Sequence, residues 1–311
     1  MRSVNETKIK WPNGARCAVM LSFDVDAETV WVNGNKHYEG GSEFARTITL
    51  GQYGPLRSVP RILELLDQYD LPGTFFVPSW VAEQYPDMFV AIAEKHHEIG
   101  NHGYFHERFF DKTYDEQVEI IDKSQEIFRR LIGKEARGFR TPSGDWSVET
   151  PKLLKEKGFL YSSSMRGDDR PYRTMIDGEP TGFIEVPTRW ELDDYVQFGY
   201  NLFPAEPAGQ DRISSHEHVL DNFKQEFDGY YRYGLCYVLM MHPQIIGKPG
   251  RIVMLDKLIQ HMKSYPDVWL LRASKLPNGG VSITRTRRFA DGGKFTNELA
   301  ESSELRGDDY G

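Results

Sequence analysis

The chain has 311 residues, 39% hydrophobic and 27% charged, with a formal net charge of −8; this is the size and make-up of a soluble α/β protein of one large domain or two smaller ones. The acidic balance argues against a nucleic-acid or anionic-membrane partner, and no apolar run approaches the ~18 residues a bilayer-spanning helix needs. The two cysteines, Cys17 and Cys236, lie in apolar runs, which excludes a disulfide framework or a cysteine zinc site; the opening MRSVNETKIKWPNGAR has no apolar signal core, and the expected location is the cytoplasm.

Short apolar strands alternate with amphipathic helices. Ala15–Phe23 reads as the first strand. A long Gly-rich segment, Glu28–Pro55, follows; it carries Trp31, His37, Tyr38 and Tyr53 and has the look of a lid or binding loop. Arg57–Tyr69 is predicted helical, with Ser58 as N-cap and Pro60 in its first turn. Gly73–Val77 is a strand, Pro86–His96 a helix, and His97–His102 a third extended piece. Tyr114–Ile132 has the clearest helical signature: a Thr113/Glu116 capping box, an inner face of Val118, Ile121, Phe128 and Leu131, and Gly133 as its stop.

A fourth strand ends at Phe139-Arg140. A helix over Thr150–Lys157 leads to a fifth strand, Phe159–Ser163, and Phe183–Thr188 is the sixth. His216–Tyr233 reads as a helix, Cys236–Met241 as a strongly apolar strand, Ile252–Met262 as a helix and Val268–Leu271 as a last strand. Gly167–Gly182 and Asp193–Gln210 are irregular. No linker divides the chain, so residues 1–275 are expected to form one domain and 276–311 a polar tail, which holds the one compact basic run, Arg285–Arg288. Strand–helix alternation with strands apolar on both faces implies a parallel sheet covered by helices, closed or nearly closed into a barrel.

In such a barrel the C-terminal ends of the strands converge on one face, where active sites form. Here those ends carry Asp24 and Asp26, then His102 and His106, then Arg140, and finally His242. In extended chain Asp24 and Asp26 point the same way and repel unless a cation or shared proton relieves them. His102 and His106, four residues apart, can meet one ion if the chain turns helically after the strand. Two imidazoles and one carboxylate leave positions open for water and substrate, the pattern of a catalytic divalent metal. His242 directly follows a buried strand and suits a general acid, while Arg140 beside the aspartates would keep a base ionised and aimed.

The ordered set Ser22-Phe-Asp24-Val-Asp26, Gly73-Thr-Phe-Phe, Glu98-Ile-Gly-Asn-His102-Gly-Tyr-Phe-His106, Phe139-Arg-Thr-Pro-Ser-Gly144 and Met241-His242-Pro243 resembles the polysaccharide deacetylase family, the NodB homology or carbohydrate esterase 4 group. The resemblance spans roughly residues 15 to 275 and implies an α/β fold, a distorted (β/α) barrel of seven strands. By position it makes Asp24 the general base, Asp26, His102 and His106 the metal ligands, Arg140 the tuner of the base and His242 the general acid. Sugar-directed members place two aspartates side by side, followed by Gly-Pro. Here Val25 separates them, which leaves open on sequence which carboxylate is base and which is ligand. The DxD form, the 28–55 insertion and Arg189-Trp-Glu-Leu-Asp-Asp194 look more like the branch related to allantoinases and cyclic imidases.

That branch implies a cytoplasmic homo-oligomer, dimer or tetramer, acting on a small-molecule amide or imide. The expected activity is metal-dependent hydrolysis of a non-peptide C–N bond, with zinc the default ion and manganese, cobalt, nickel or iron as substitutes. Trp31, Trp190, Asp193 and Asp194 are candidate substrate contacts. The alternatives are an N-acetyl-sugar deacetylase and a non-catalytic metal- or ligand-binding protein.

Overall fold

The computed structural model describes residues 9–199, 214–278 and 286–287. Among the described residues ten strands form one curled sheet: β1 (Cys17–Asp24), β2 (Thr74–Val77), β3 (Glu98–Asn101), β4 (Gly138–Phe139), β5 (Tyr161–Ser162), β6 (Tyr172–Ile176), β7 (Glu179–Glu185), β8 (Cys236–Met241), β9 (Val268–Leu271) and β10 (Thr286–Arg287). Seven of them run parallel in the order β7-β5-β4-β3-β2-β1-β8. β9 joins the lower half of β1, and the gap between the β7 side and β8 is narrowed by a parallel bridge from Asp193 to Met240. This is the expected seven-stranded barrel, left slightly open.

Why β1 carries the site follows from its alternation. Cys17, Val19, Leu21 and Phe23 pack outward among the helices, whereas Ala18 and Met20 join the inner cluster with Phe76, Tyr161 and Val238. The inner parity continues through Ser22 and Asp24, so the strand delivers its carboxylate to the barrel mouth. Gly138 in β4 leaves room for the inner ring of Tyr161, since a Cβ there would fall 2.1 Å from Tyr161 Cζ.

The helices are α1 (Thr29–Asn35), α2 (Ala45–Tyr53), α3 (Val59–Tyr69), α4 (Ser79–Gln84), α5 (Pro86–Glu94), α6 (Tyr114–Ile132), α7 (Thr150–Glu156), α8 (Asp194–Phe198), α9 (His216–Tyr233), α10 (Pro243–Ile246) and α11 (Pro249–Lys263). In α6 both halves of the Thr113/Glu116 capping box form and Gly133 ends the helix in the left-handed region at φ +69°. The predicted bounds of α6, α9, β8 and β9 are met residue for residue.

Several expectations differ. The 28–55 segment is no irregular loop: it contains α1 and α2, and α2 runs through a wide turn, Gly54–Ser58, into α3. Pro55 and Pro60 supply no N–H, and the helical ladder widens between them. Ser58 therefore lies within a continuous helical path and caps nothing. The irregular stretch before the sixth strand is half of a hairpin, β6–β7, closed by Asp177 and Gly178, both at positive φ. Of the segments expected to be irregular, Asp194–Phe198 is helical while 200–210 lies outside the described residues. In the tail, Thr286–Arg287 pairs with β6, and Arg285 and Arg288 lie outside the described residues.

Candidate active site

Asp24 ends β1 almost wholly buried, and its Oδ1 accepts a hydrogen bond from Arg140 Nη1 at 2.6 Å. Arg140 is held at several points. Nη1 also donates to Ser22 Oγ (3.0 Å), Nε to the Ser163 carbonyl (2.7 Å) and Nη2 to Ser163 Oγ (2.8 Å), and the guanidinium lies 4.2 Å from the Phe76 ring centroid. With Oδ1 occupied, Asp24 Oδ2 is the oxygen that faces His242 Nε2, 4.0 Å away.

Past β1 the Val25 N–H bonds the Phe76 carbonyl (2.8 Å), and Asp26 follows on the inner side. Its Oδ1 lies 3.4 Å from His102 Nε2 and 3.8 Å from His106 Nε2. His102 enters from the end of β3. His106 returns through a tight loop in which Glu107 accepts the N–H groups of Tyr104 (2.9 Å) and Phe105 (2.8 Å). The loop is not the helical turn the spacing suggested: His106 itself sits in the left-handed region at φ +58°, as do Ala27 at +52° and Ser143 at +56°. Such backbone is costly for residues with a Cβ and tends to mark functional sites. Behind Asp26, α2 touches the turn directly: a Cβ on Gly51 would fall 2.4 Å from Glu28 Cα.

The donor set fits a divalent metal. His102 Nδ1 is 2.7 Å from the Arg140 carbonyl, which can only accept, so Nδ1 donates there and Nε2 is the nitrogen turned to Asp26. Burial pushes His106 down to about 4, which leaves that ring neutral near pH 7. Burial pushes Asp26 up, but His106, His102 and His242 outweigh it and hold the carboxyl at about 2. A carboxylate oxygen and two imidazole nitrogens thus converge within 4.8 Å of one another, and Asp26 Oδ1 has no hydrogen-bond partner among the described residues. A buried, unpartnered carboxylate oxygen faced by two imidazole nitrogens is a donor set that suits a divalent cation.

His242 leaves β8 into a second cluster. Both its backbone N–H (3.0 Å) and its Nδ1 (2.7 Å) bond the Asp194 carboxylate, so Nδ1 is the donor and Nε2 turns to the pocket, 3.8 Å from Asp26 Oδ2. Burial alone would lower its pKa; Asp194, with help from Asp26 and Asp193, raises it to about 10. Asp193 Oδ1 lies 3.8 Å from Nδ1 and caps α8 through the Tyr195 N–H (2.8 Å); burial, with the charges of Asp194 and Asp24, pushes it up to about 7 against the pull of His242.

All six residues singled out at strand ends, Asp24, Asp26, His102, His106, Arg140 and His242, line one cavity of about 930 Å³. Trp31 lines it too, although buried, and its Nε1 has no hydrogen-bond partner among the described residues. Trp190 is half exposed and also lines the cavity, as does Asp193. Asp194 does not: it is fully buried behind His242, with its carboxylate engaged there, and so is no substrate contact. Sequence reasoning missed Tyr195, whose ring lies 5.2 Å from that of His242, and Ser163, which anchors Arg140. Tyr195 directly follows the Asp193-Asp194 pair and had that adjacency as a signal; Ser163, at the end of the fifth strand, had only its position.

Residues 52–162 match the sequence profile of the polysaccharide deacetylase family. A Mycobacterium smegmatis structure assigned by name to the polysaccharide deacetylases is 33% identical, superposes with a TM-score of 0.81, and covers 88% of this chain and 93% of its own. The chain belongs to the polysaccharide deacetylase family. The peptidoglycan deacetylase of Helicobacter pylori is 27% identical over 275 residues, 80% of this deacetylase-family chain and 91% of that protein. PuuE allantoinase shares the fold at 23% identity and a TM-score of 0.74, covering 88% of this chain and 93% of its own. The family is one of hydrolases that cut amide C–N bonds other than peptide bonds. Among the described residues, no helix is long and apolar enough to cross a membrane.

Proposed function

We propose that this family member is a metal-dependent amidohydrolase acting on a small cyclic imide or ureide. The observation that carries metal dependence is the Asp26 Oδ1 atom, buried without a hydrogen-bond partner and faced by two imidazole nitrogens. Asp26, His102 and His106 would hold the divalent cation, zinc by donor type with manganese, cobalt, nickel or iron as substitutes; when bound it supplies Lewis acidity toward water and the substrate carbonyl. Asp24, aimed by Arg140 through Oδ1, takes the proton of the attacking water on Oδ2. His242, held protonated by Asp194, delivers a proton from Nε2 to the departing nitrogen, so that the C–N bond breaks with a neutral amide or amine leaving. The small-ring reading is supported by the aromatic and polar walls: Trp31, Asn33, Lys36 and His37 of the insertion and Trp190 and Tyr195 across the motif after β7 all line the cavity. A cytoplasmic homo-oligomer belongs to the same reading.

A second reading, deacetylation of an N-acetyl sugar, is favoured by the name of the Helicobacter pylori relative. The test is turnover by metal-reconstituted protein of hydantoin, succinimide and allantoin beside chitooligosaccharides and peptidoglycan fragments. Ring opening without acetate release is the expected result. Acetate release alone establishes the second reading, and a metal-loaded protein inert on every amide removes both.

A further inference from the structure

The catalytic cavity holds a cation that the reaction does not use. Arg166, in the segment after β5, lays its guanidinium over the Trp190 indole, 4.4 Å from the ring centroid, and both side chains line the cavity with Asp24, Asp26 and His242. Three other cavity cations are engaged, Arg140 with Asp24 (2.6 Å), Arg108 with Asp111 (3.3 Å) and Lys112 with Glu116 (3.1 Å), while Lys36, just past α1, is exposed. Arg189, next to the stack, bonds the Arg166 carbonyl and is itself paired with Asp169. Among the described residues, the Arg166 guanidinium makes no hydrogen bond or ion pair, and its Nε is sealed from solvent without an acceptor.

A guanidinium has five N–H donors in one plane. With its face covered by an indole, the groups left to bind are on its edge, and the acceptor that matches an edge is a carboxylate taking two parallel hydrogen bonds. Trp190 holds the plane in place while remaining half exposed itself, so the pair stands at the cavity as a fixed platform. Two acids of the cavity wall are committed elsewhere, Asp24 to Arg140 and Glu107 to the backbone of its own loop.

We propose that Arg166 reads a carboxylate carried by the substrate, so that the amide hydrolysed here belongs to an acid-bearing small molecule. This rests on the reading of the cavity as the substrate site. The carboxylate could be borne by a small ring or by an ether-linked acid on an amino sugar, and the turnover arm below separates the two.

The test titrates glutarate and its neutral isostere glutaramide into the full chain as purified, followed by calorimetry. The expected result is that Arg166→Met weakens glutarate by about ten-fold or more and leaves glutaramide within about two-fold, while Arg166→Lys recovers part of the loss. Equal glutarate affinity in the unaltered protein and Arg166→Met, with both folded by circular dichroism, overturns the proposal. In the turnover arm, hydantoin-5-acetate is set against 5-methylhydantoin, and N-acetylmuramic acid against N-acetylglucosamine. Arg166→Met should lower kcat/KM for the acidic member of one pair by about 30-fold and for its neutral partner by less than about three-fold; equal losses within both pairs also overturn it. Inertness toward every amide defeats the hydrolase reading alone, because the glutarate titration still decides the role of Arg166.

Discussion

Two buried clusters flank the same cavity with nearly the same residue types, and the proposed function gives them opposite tasks. Asp26, His102 and His106 form one; Asp193, Asp194 and His242 form the other. In the second, a proton bridges His242 Nδ1 and Asp194 at 2.7 Å, and the His242 backbone N–H satisfies the same carboxylate. In the first, the equivalent ring nitrogen of His102 spends its proton on the Arg140 carbonyl, so its other nitrogen meets Asp26 with nothing between them. What differs is the acceptor behind each ring, a neutral carbonyl for His102 and a carboxylate for His242; under the proposed function the first would receive a metal and the second store a proton. Composition alone would not tell the two apart.

The sharpest test of this comparison is to remove Asp26 and its neighbour Asp24 in turn. Asp26→Asn should abolish metal retention, measured by elemental analysis, and cut turnover by about 10³-fold or more. Asp24→Asn should cost a similar factor while metal content stays at the unaltered level. Loss of metal from Asp24→Asn, with retention in Asp26→Asn, would reverse the two roles.

A smaller effect is expected in the proton-storing cluster. Asp194→Asn should keep the metal and lower kcat by about 10²-fold on substrates with poor leaving groups. Because Asp194 is the chief group holding His242 up at about 10 against burial, its loss should also bring the alkaline limb of kcat to lower pH. An unmoved limb in the pH–rate profile would mean that His242 is not the acid.

The smallest effect concerns a histidine outside both clusters. His97 Nδ1 accepts the Gly73 N–H (3.1 Å), and burial pushes its pKa from 6.5 down to about 4. A depressed imidazole is protonated first in the unfolded chain, so its contribution is intact above about pH 6.5 and is lost as pH falls toward about 4. The loss should amount to roughly 1–3 kcal/mol in denaturant unfolding across that window, and His97→Asn, which keeps an acceptor, should flatten part of the slope.

The barrel was legible because its strands are short, apolar and followed by polar strand ends, and because α6 carries a capping box at one end and Gly133 at the other. The six catalytic candidates were legible for the same reason: strand ends converge whatever lies between them. What sequence spacing could not show was contact across the fold. Asp194 reads as one of two acids in a polar loop, and only the Asp193–Met240 bridge, which docks that loop on β8, puts it beneath His242. The β6–β7 hairpin did have a local signal in Asp177-Gly178, a two-residue turn that favours positive φ at both positions. The helices of 28–55 were obscured by Gly and aromatic content that would suit a loop equally well.

The direct backbone contact at Gly51 bears on any attempt to retarget the pocket. Helix α2 and the turn behind Asp26 abut without a side chain between them. Exchanging the 28–58 segment among relatives therefore also rebuilds the backing of the Asp26 carboxylate. Any graft or library that places a larger residue at 51 should lose activity before it gains a new selectivity.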